Sequence, residues 1–264
     1  MKQQLRQIYK YFVMFGIDPR KTYNSLRGLP LYYRNLRALK RQKASSAGGF
    51  PFGKAYPCLQ DRYMESGSTN GHYFHQDLLV ARRINLNNPG VHVDVGSRVD
   101  GFIAHVASFR QIEVFDIRPL TNTIPNISFK QADLMSPLDE KLVDYCDSLS
   151  CLHALEHFGL GRYGDPLNYD GHLVGLNNLL KILKKNGKFY FSVPIGPQRI
   201  EFDAHRVFSV DFLVEYFSDK CHIDQFSFVD DNGDMHENVS LTDNDVNSNF
   251  GCEFGCGIFE MTKN

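Results

Sequence analysis

The sequence predicts a doubly wound α/β fold, with a mostly parallel Rossmann-like sheet, an antiparallel terminal strand and a helical N-terminal extension. Strand-like and helix-like segments alternate from Val91 onward, which is typical of a parallel sheet flanked by helices. The strand-like stretches 223–229 and 256–262 have no crossover helix between them, so we expect them to be antiparallel. Residues 1–43 instead show helical apolar spacing at Leu5, Ile8, Phe12 and Phe15.

The composition suits one globular domain with an extension. The chain has 264 residues, of which 42% are hydrophobic, so it can bury a sizeable core. No apolar run reaches the roughly 18 to 20 residues of a membrane span, and the first residues lack the apolar region of a signal peptide. We therefore expect a cytoplasmic protein.

The cysteines do not predict a metal site. Six cysteines are scattered without paired C-x-x-C motifs, which favours reduced thiols. Cys252 and Cys256 have a spacing that could serve a metal, but no second pair accompanies them. No metal ligands are therefore predicted.

Charge divides the chain into two parts. Residues 1–43 carry eleven Lys or Arg against one acid, a net charge of +10, whereas the remaining chain carries -11. The basic segment could pack on the acidic main domain, hold a phosphorylated substrate, or make peripheral contact with an anionic membrane. A lid-like loop, rich in Gly, Ser and Pro, follows at 44–71. We predict an extension over 1–85 and a Rossmann-like domain over 86–264, with no nucleic-acid partner.

The elements of the main domain follow in order. A helix is predicted just before the first strand, in HYFHQDLLVARRI. Strands are predicted at 91–95, 112–117, 127–132, 145–152 and 188–193. Further helices are predicted at 172–185, ended by Asn186-Gly187, and at 210–217, with Ser209 as the N-cap. The acidic segment between the last two strands is predicted to be a solvated loop.

A candidate cofactor site follows the first three strands. In doubly wound sheets, ligands bind beyond the carboxyl ends of the strands, where the first turn approaches the ligand. Asp116 ends the second strand, where a carboxylate can accept both hydroxyls of a ribose, and Asp133 ends the third, where it can accept the adenine amine. The first turn adds five candidate residues: Asp94, Gly96, Ser97, Arg98 and Gly101.

This turn favours one cofactor over another. A dinucleotide would need the G-x-G-x-x-G spacing for its pyrophosphate, but the turn has only Gly96 and Gly101. S-adenosylmethionine carries no phosphate and tolerates a looser turn. The sequence therefore predicts S-adenosylmethionine as cofactor and a sheet of the class I methyltransferase type.

The candidate catalytic residues follow the fourth strand, in the segment His153-Ala-Leu-Glu156-His157. If this segment begins a helix, its two histidines and its glutamate share one face. Read as H-x-x-E-H, it matches a metal-dependent hydrolase, but nearby glycines would cut the helix short. Read as a strand end, it resembles the Leu-Glu-His stretch of small-molecule methyltransferases. Either His153 or His157 could then remove a proton from a hydroxyl acceptor, with Glu156 orienting it.

A second polar cluster follows the fifth strand and is expected at the same edge of the sheet. His205 is a further catalytic candidate. The candidate substrate-binding residues come from this cluster and from the segment before the first strand: Glu201, Arg206, Tyr73, His75 and Gln76. A cation here would suit an anionic acceptor such as a nucleotide-linked sugar.

From about Phe50 onward the chain resembles a domain-of-unknown-function family of nematodes and bacteria that is similar to class I methyltransferases. The matching blocks include HVDVGSRVDGFIAHVASF, CLHALEHFGLGRYGDP and FSVPIGPQRIEFDAHRVFS. The resemblance implies an S-adenosylmethionine-dependent O-methyltransferase acting on a sugar or nucleotide-sugar in surface polysaccharide synthesis. A non-catalytic, methyltransferase-like binding module is the alternative. The acceptor and the oligomeric state stay open.

Overall fold

The computed structural model describes residues 8–9, 11–46, 49–67 and 69–264. The chain divides into two compact units, Met1–Ser68 and Thr69–Asn264. Leu5, an apolar position of the first expected helix, lies outside the described residues. The helix that precedes the first strand belongs to the second unit, although the expected boundary at residue 85 placed it with the extension.

The first unit is built on the helix α1 (Pro19–Ala44). This helix begins at Pro19 because the Asp18 side chain caps it by accepting the backbone N–H groups of Arg20 and Lys21. The chain after the helix folds back onto it: the Gln60 amide donates to the Ser25 hydroxyl at 3.0 Å. The extension is therefore a folded helical unit.

The second unit contains the sheet and the helices that flank it. Its helices are α2 (His72–Asn87), α3 (Ala104–Ala107), α4 (Gly171–Ile182), α5 (Val210–Phe217) and α6 (Asp243–Asn247), and a π-helical turn, Val99–Ile103, leads into α3. Its strands are β1 (His92–Val95), β2 (Ile112–Asp116), β3 (Ile127–Gln131), β4 (Cys146–Leu152), β5 (Leu183–Ile195), β6 (Arg199–Glu201), β7 (His205–Val207), β8 (Cys221–Val229), β9 (Met235–His236) and β10 (Gly255–Lys263).

Eight strands form one sheet in the order β3-β2-β1-β4-β5-β10-β8-β9. Strands β1 to β5 pair in parallel, whereas β10 is antiparallel to both β5 and β8. The predicted doubly wound, mostly parallel sheet with an antiparallel terminal strand is confirmed. The chain reverses its strand order between β1 and β4, which is the crevice where such sheets bind ligands.

Two details differ from the predictions. Helix α4 ends at Ile182 rather than at residue 185, because Leu183 already pairs with Cys146 as part of β5. Asn186 does adopt a left-handed conformation, but inside the strand. The acidic segment expected to be a loop also contains β9 and α6.

Apolar side chains cover both faces of the sheet. Along β1, Val93 and Val95 face one core together with helix α4, which contributes Leu176 and Leu179. The opposite core contains residues of α2 and of the π-helical turn. No helix among the described residues is long and apolar enough to cross a membrane.

His172 in α4 provides a test of these packing contacts. Its ring lies beside the rings of Phe208 and Phe212, with centroids 5.8 and 6.5 Å away, and its Nδ1 is buried with no hydrogen-bond partner among the described residues. Burial, assisted by the charge of Arg206, lowers the pKa of His172 from 6.5 to about 4.

Since the unfolded chain takes up this proton at higher pH than the folded one, the stability contributed by neutral His172 is present above pH 6.5 and is lost as the pH falls toward 4. We expect His172→Gln to reduce the acid-dependent loss of unfolding free energy by at most about 1.4 kcal/mol per pH unit, an upper bound because the ring is only partly buried. Denaturant titrations across this range measure the slope. Equal slopes for the two proteins would contradict the assignment.

Candidate active site

A cavity of about 990 Å³ lies at the carboxyl ends of β1, β2 and β4. Its wall takes in the turn after β1, the acid that ends β2, the segment after β3 and the histidines that follow β4. The lining residues that carry polar or aromatic groups include Tyr73, Ser97, Arg98, Asp100, Asp116, Arg118, Asp133, His153, His157, Arg162, Tyr163 and Asp165. The cavity therefore occupies the crevice expected for a ligand.

The turn after β1 is held by Asp94. This carboxylate is fully buried and accepts the backbone N–H and the hydroxyl of Ser97, at 3.0 and 2.9 Å, and the hydroxyl of Ser150 at 2.5 Å. Burial raises the pKa of Asp94 to about 7. Asp94 is not among the described residues that line the cavity, whereas Gly96 and Ser97 are. Asp94 therefore stabilises the turn, and Gly96 and Ser97 form part of the cavity wall.

Gly96 packs closely against another segment of the protein. It has a φ of +80°, and a Cβ atom there would lie 2.7 Å from the Cβ of Ala154. We expect Gly96→Ala to reduce the unfolding free energy by about 2–5 kcal/mol, the sum of an overpacking cost and a left-handed backbone cost.

The matched control for this substitution is Gly251→Ala. Gly251 has a φ of +74° with no described atom within 4 Å of the added Cβ, so only the backbone cost of about 1–2 kcal/mol applies. Thermal or denaturant unfolding of both variants measures the difference. Equal losses would show that the contact with Ala154 costs nothing.

Some of the other residues of this turn line the cavity and others do not. Arg98 and Asp100 form an exposed ion pair, with Nη2 and Oδ2 2.7 Å apart, and both line the cavity. Gly101, which the sequence placed at the cofactor, lies elsewhere: a Cβ there would lie 3.1 Å from the Asp77 carboxylate of α2. Gly101 permits α2 to pack closely and is not among the described residues of the cavity wall.

Asp116 lines the cavity at the end of β2, as expected. Its carboxylate accepts three hydrogen bonds from Arg118, from the backbone N–H at 2.8 Å, Nε at 3.0 Å and Nη2 at 2.7 Å. The Arg118 guanidinium lies 4.6 Å from the centre of the Tyr163 ring. A ligand that binds Asp116 must therefore share or displace the Arg118 side chain.

Asp133 lines the cavity after β3. Its Oδ1 accepts the backbone N–H of Met135 and its Oδ2 accepts the hydroxyl of Ser136, both at 2.9 Å. Each oxygen keeps one acceptor site, since a carboxylate oxygen has about two. Leu134 and Met135 add apolar surface beside it. This corner can hold a flat heterocycle that donates from an amine.

The residues after β4 do not form the helix that the H-x-x-E-H reading requires. His153 adopts a left-handed conformation with a φ of 50°, and a three-residue 3-10 turn, Leu155–His157, follows. Glu156 nevertheless lies between both histidines: its Oε1 is 2.7 Å from Nδ1 of His153 and 3.7 Å from Nε2 of His157. The three side chains therefore lie together as expected, but on a 3-10 turn instead of an α-helix.

The two histidines differ in their free nitrogens. His153 uses Nδ1 for Glu156, and its Nε2 lies 3.1 Å from Nδ1 of His72. His157 donates Nδ1–H to the carbonyl oxygen of Ala204 at 2.7 Å, so its Nε2 carries the lone pair. Both line the cavity. Of the two rings, that of His157 is the one with a nitrogen, Nε2, free to accept a proton.

Burial sets the charge states here. It lowers the pKa of His157, against the opposing effect of Glu156, and it lowers the pKa of His72 to about 4. Burial also opposes charging of His153, but the neighbouring Cys256 and Glu156 hold the pKa of His153 well above its ordinary value. His157 is thus neutral at neutral pH, whereas the surroundings of His153 favour a positive charge.

Of the expected substrate residues, only Tyr73 lines the cavity among those that the structure describes. The buried Gln76 accepts the hydroxyl of Ser192 at 2.6 Å, and Arg206 donates to the carbonyl oxygens of Phe158 and Tyr169 at 2.6 and 2.9 Å. Arg206 therefore stabilises a loop, because both of its terminal nitrogens donate to backbone carbonyl oxygens. His75, Glu201 and His205 also lie outside the described cavity wall, and His205 is within 3.4 Å of Glu201.

Several residues of the site were missed. Arg118, Arg162 and Tyr163 line the cavity, and Arg162 donates to the Ala204 carbonyl at 2.8 Å. Arg118 could have been identified from the sequence, because it lies two residues after Asp116, the acid that ends β2. His72 gave no signal, and Cys256 was noted only for its spacing from Cys252, because both meet His153 only after folding.

Comparisons with known proteins agree with this architecture. A family described as "Caenorhabditis protein of unknown function, DUF268" matches residues 123–249, which include the blocks after the fourth and fifth strands. The resemblance inferred from the sequence is confirmed. No curated protein matches the chain.

Solved structures show the fold. The N-methyltransferase NodS from Bradyrhizobium japonicum WM9 is 9% identical, with 74% of this chain and 99% of that chain covered and a TM-score of 0.50. A second similar structure is the Burkholderia thailandensis 1,6-didemethyltoxoflavin-N1-methyltransferase with bound 1,6-didemethyltoxoflavin and S-adenosylhomocysteine. It is 14% identical, with 72% of this chain and 78% of that chain covered and a TM-score of 0.49. The sheet is of the class I methyltransferase type.

Proposed function

We propose that this chain is an S-adenosylmethionine-dependent O-methyltransferase acting on a small polar acceptor, a sugar or nucleotide-sugar. The observation that carries the proposal is the cavity at the strand reversal, where carboxylates from two consecutive strand ends and an unprotonated histidine share one wall. The fold supports it, and the site chemistry argues for it independently of the fold.

The cofactor half follows from hydrogen-bonding capacity. Asp116 is positioned to accept ribose hydroxyls, and Asp133, beside Leu134 and Met135, is positioned to accept the adenine amine. Arg118 already donates three hydrogen bonds to Asp116, so a ribose that takes both of its hydroxyls to this carboxylate must displace at least one of them. Gly96 and Ser97, which also line the cavity, would hold the rest of the cofactor.

His157 is the proposed base. When bound, the cofactor supplies an electrophilic methyl group, and the acceptor oxygen replaces its sulfur on that carbon. The acceptor O–H proton passes to Nε2 of His157, whose Nδ1–H is fixed on Ala204. Glu156, 3.7 Å from Nε2, stabilises the positive charge that the ring gains.

Two guanidinium groups lie against one aromatic ring of the cavity wall. Arg118 and Arg162 lie 4.6 and 5.2 Å from the centre of the Tyr163 ring, and all three line the cavity. Guanidinium groups bind phosphate in a bidentate manner, and an aromatic ring can stack on a sugar or base. This favours an anionic acceptor such as a nucleotide-sugar, as proposed from Arg206, but through different residues.

The test is methyl transfer from labelled S-adenosylmethionine to a panel of sugars and nucleotide-sugars, with S-adenosylhomocysteine measured as the second product. We expect both products in equal amounts with at least one hydroxyl acceptor. Cofactor binding without transfer to any acceptor would favour the non-catalytic binding module. Transfer to an amine alone would contradict O-methylation.

A further inference from the structure

Three side chains with metal-binding atoms meet beside the cavity. His72 begins α2, His153 follows β4 and Cys256 lies in β10. Their ligand atoms all lie within 4.8 Å of one another. Imidazole nitrogen and thiolate sulfur are the ligands that zinc prefers in proteins. No two of these residues are close in the sequence, so only the fold brings them together.

We propose that His72, His153 and Cys256 bind a zinc-class divalent cation. Zinc holds imidazole nitrogens at about 2.0–2.1 Å in tetrahedral geometry, which separates two of them by about 3.3 Å. The observed separation between Nδ1 of His72 and Nε2 of His153 is 3.1 Å. The nitrogens therefore need little movement to bind one ion.

The surroundings of the cluster orient its ligands as metal sites do. Metal-bound histidines commonly donate their other N–H to a carboxylate or a backbone carbonyl. Nδ1 of His153 lies 2.7 Å from Oε1 of Glu156, so Nε2, which faces His72, is the ring nitrogen left to bind the ion. His72 also forms a backbone hydrogen bond with Phe254. The left-handed backbone of His153, rare outside glycine, is what aims this ring.

Charge balance supports a cation at this point. Glu156 is 1% exposed, its Oε2 has no hydrogen-bond partner among the described residues, and Cys256 is fully buried. A buried carboxylate needs a positively charged partner. In the proposed site a divalent cation held by His153 supplies that charge, and a thiol that binds such a cation is deprotonated.

The proposed site differs from the H-x-x-E-H hydrolase reading. His157 is not a ligand here, and Glu156 orients His153 instead of acting as a free base. If His153 holds the metal, His157 is left as the base of the proposed reaction. The metal site itself does not require that the chain binds S-adenosylmethionine.

The test uses the full chain, stripped with a chelator and titrated with Co²⁺ and then Zn²⁺. We expect one ion per chain, tetrahedral Co²⁺ absorption and a thiolate-to-cobalt charge-transfer band that Zn²⁺ removes. Cys256→Ser should abolish the charge-transfer band. Glu156→Gln should weaken binding about 10- to 100-fold. Cys252→Ser, which removes another buried cysteine outside the cluster, should bind as the unmodified chain does.

Absence of cobalt or zinc binding by the unmodified chain would overturn the proposal. A charge-transfer band that persists in Cys256→Ser would also overturn it. Because the unmodified chain alone must show the thiolate signature, misfolding of a variant cannot hide a negative result. Calorimetry with S-adenosylhomocysteine, run on the same stripped protein, reports the proposed function separately.

Discussion

His157→Ala should reduce the rate of methyl transfer by about 10²–10⁴-fold, the usual contribution of a general base. Binding of S-adenosylhomocysteine should persist, since Nε2 of His157 acts on the acceptor proton. The rate should also depend on pH, because burial lowers the pKa of His157 below 6.5. The neutral base, and with it the activity, should therefore be lost only at a pH below 6.5.

The control for this prediction is His222→Ala, which removes a histidine whose side chain is 76% exposed on β8. It should transfer methyl groups at the unmodified rate. A full rate in His157→Ala, measured with saturating cofactor, would remove this histidine from the chemistry. An acidic limb centred above pH 6.5 would show that another group titrates.

Asp116→Ala should weaken S-adenosylhomocysteine binding by at least about tenfold and up to several hundredfold, because charged hydrogen bonds contribute about 1.5–3 kcal/mol each. The substitution also releases Arg118, so the loss of the ion pair must be separated from the loss of the ribose contact.

Arg118→Ala makes that separation. It removes the same ion pair but keeps the carboxylate, so its effect on affinity should be much smaller than that of Asp116→Ala. Calorimetric titration of both variants measures the difference. If the two variants lose equal affinity, Asp116 serves only to hold Arg118, and its proposed contact with the ribose is wrong.

The sheet could be predicted because its signals are local. Each strand from β1 to β4 is a short strand-like stretch between turns, and β8 and β10 lack a crossover helix, which determines their relative direction. The end of α4 was harder, since pairing of Leu183 with Cys146 overrides a turn signal at Asn186-Gly187. Pairing across the sheet is not visible in a local pattern.

The site could be predicted where strand ends determine it. Asp116, Asp133, His153 and His157 all follow strands and all line the cavity. Arg206 was expected to bind substrate because the sequence shows a cation there. The sequence does not show the carbonyl oxygens of Phe158 and Tyr169 to which its guanidinium group donates. His72 and Cys256 were missed because a helix start and a strand near residue 256 meet His153 only after folding.

The central claim is that the cavity beyond β1 and β2 binds S-adenosylmethionine, and calorimetry with S-adenosylhomocysteine tests it most directly. We predict one binding site per chain, weakened by Asp116→Ala and unaffected by His222→Ala. No binding at millimolar concentration, by the folded unmodified chain, would contradict the claim.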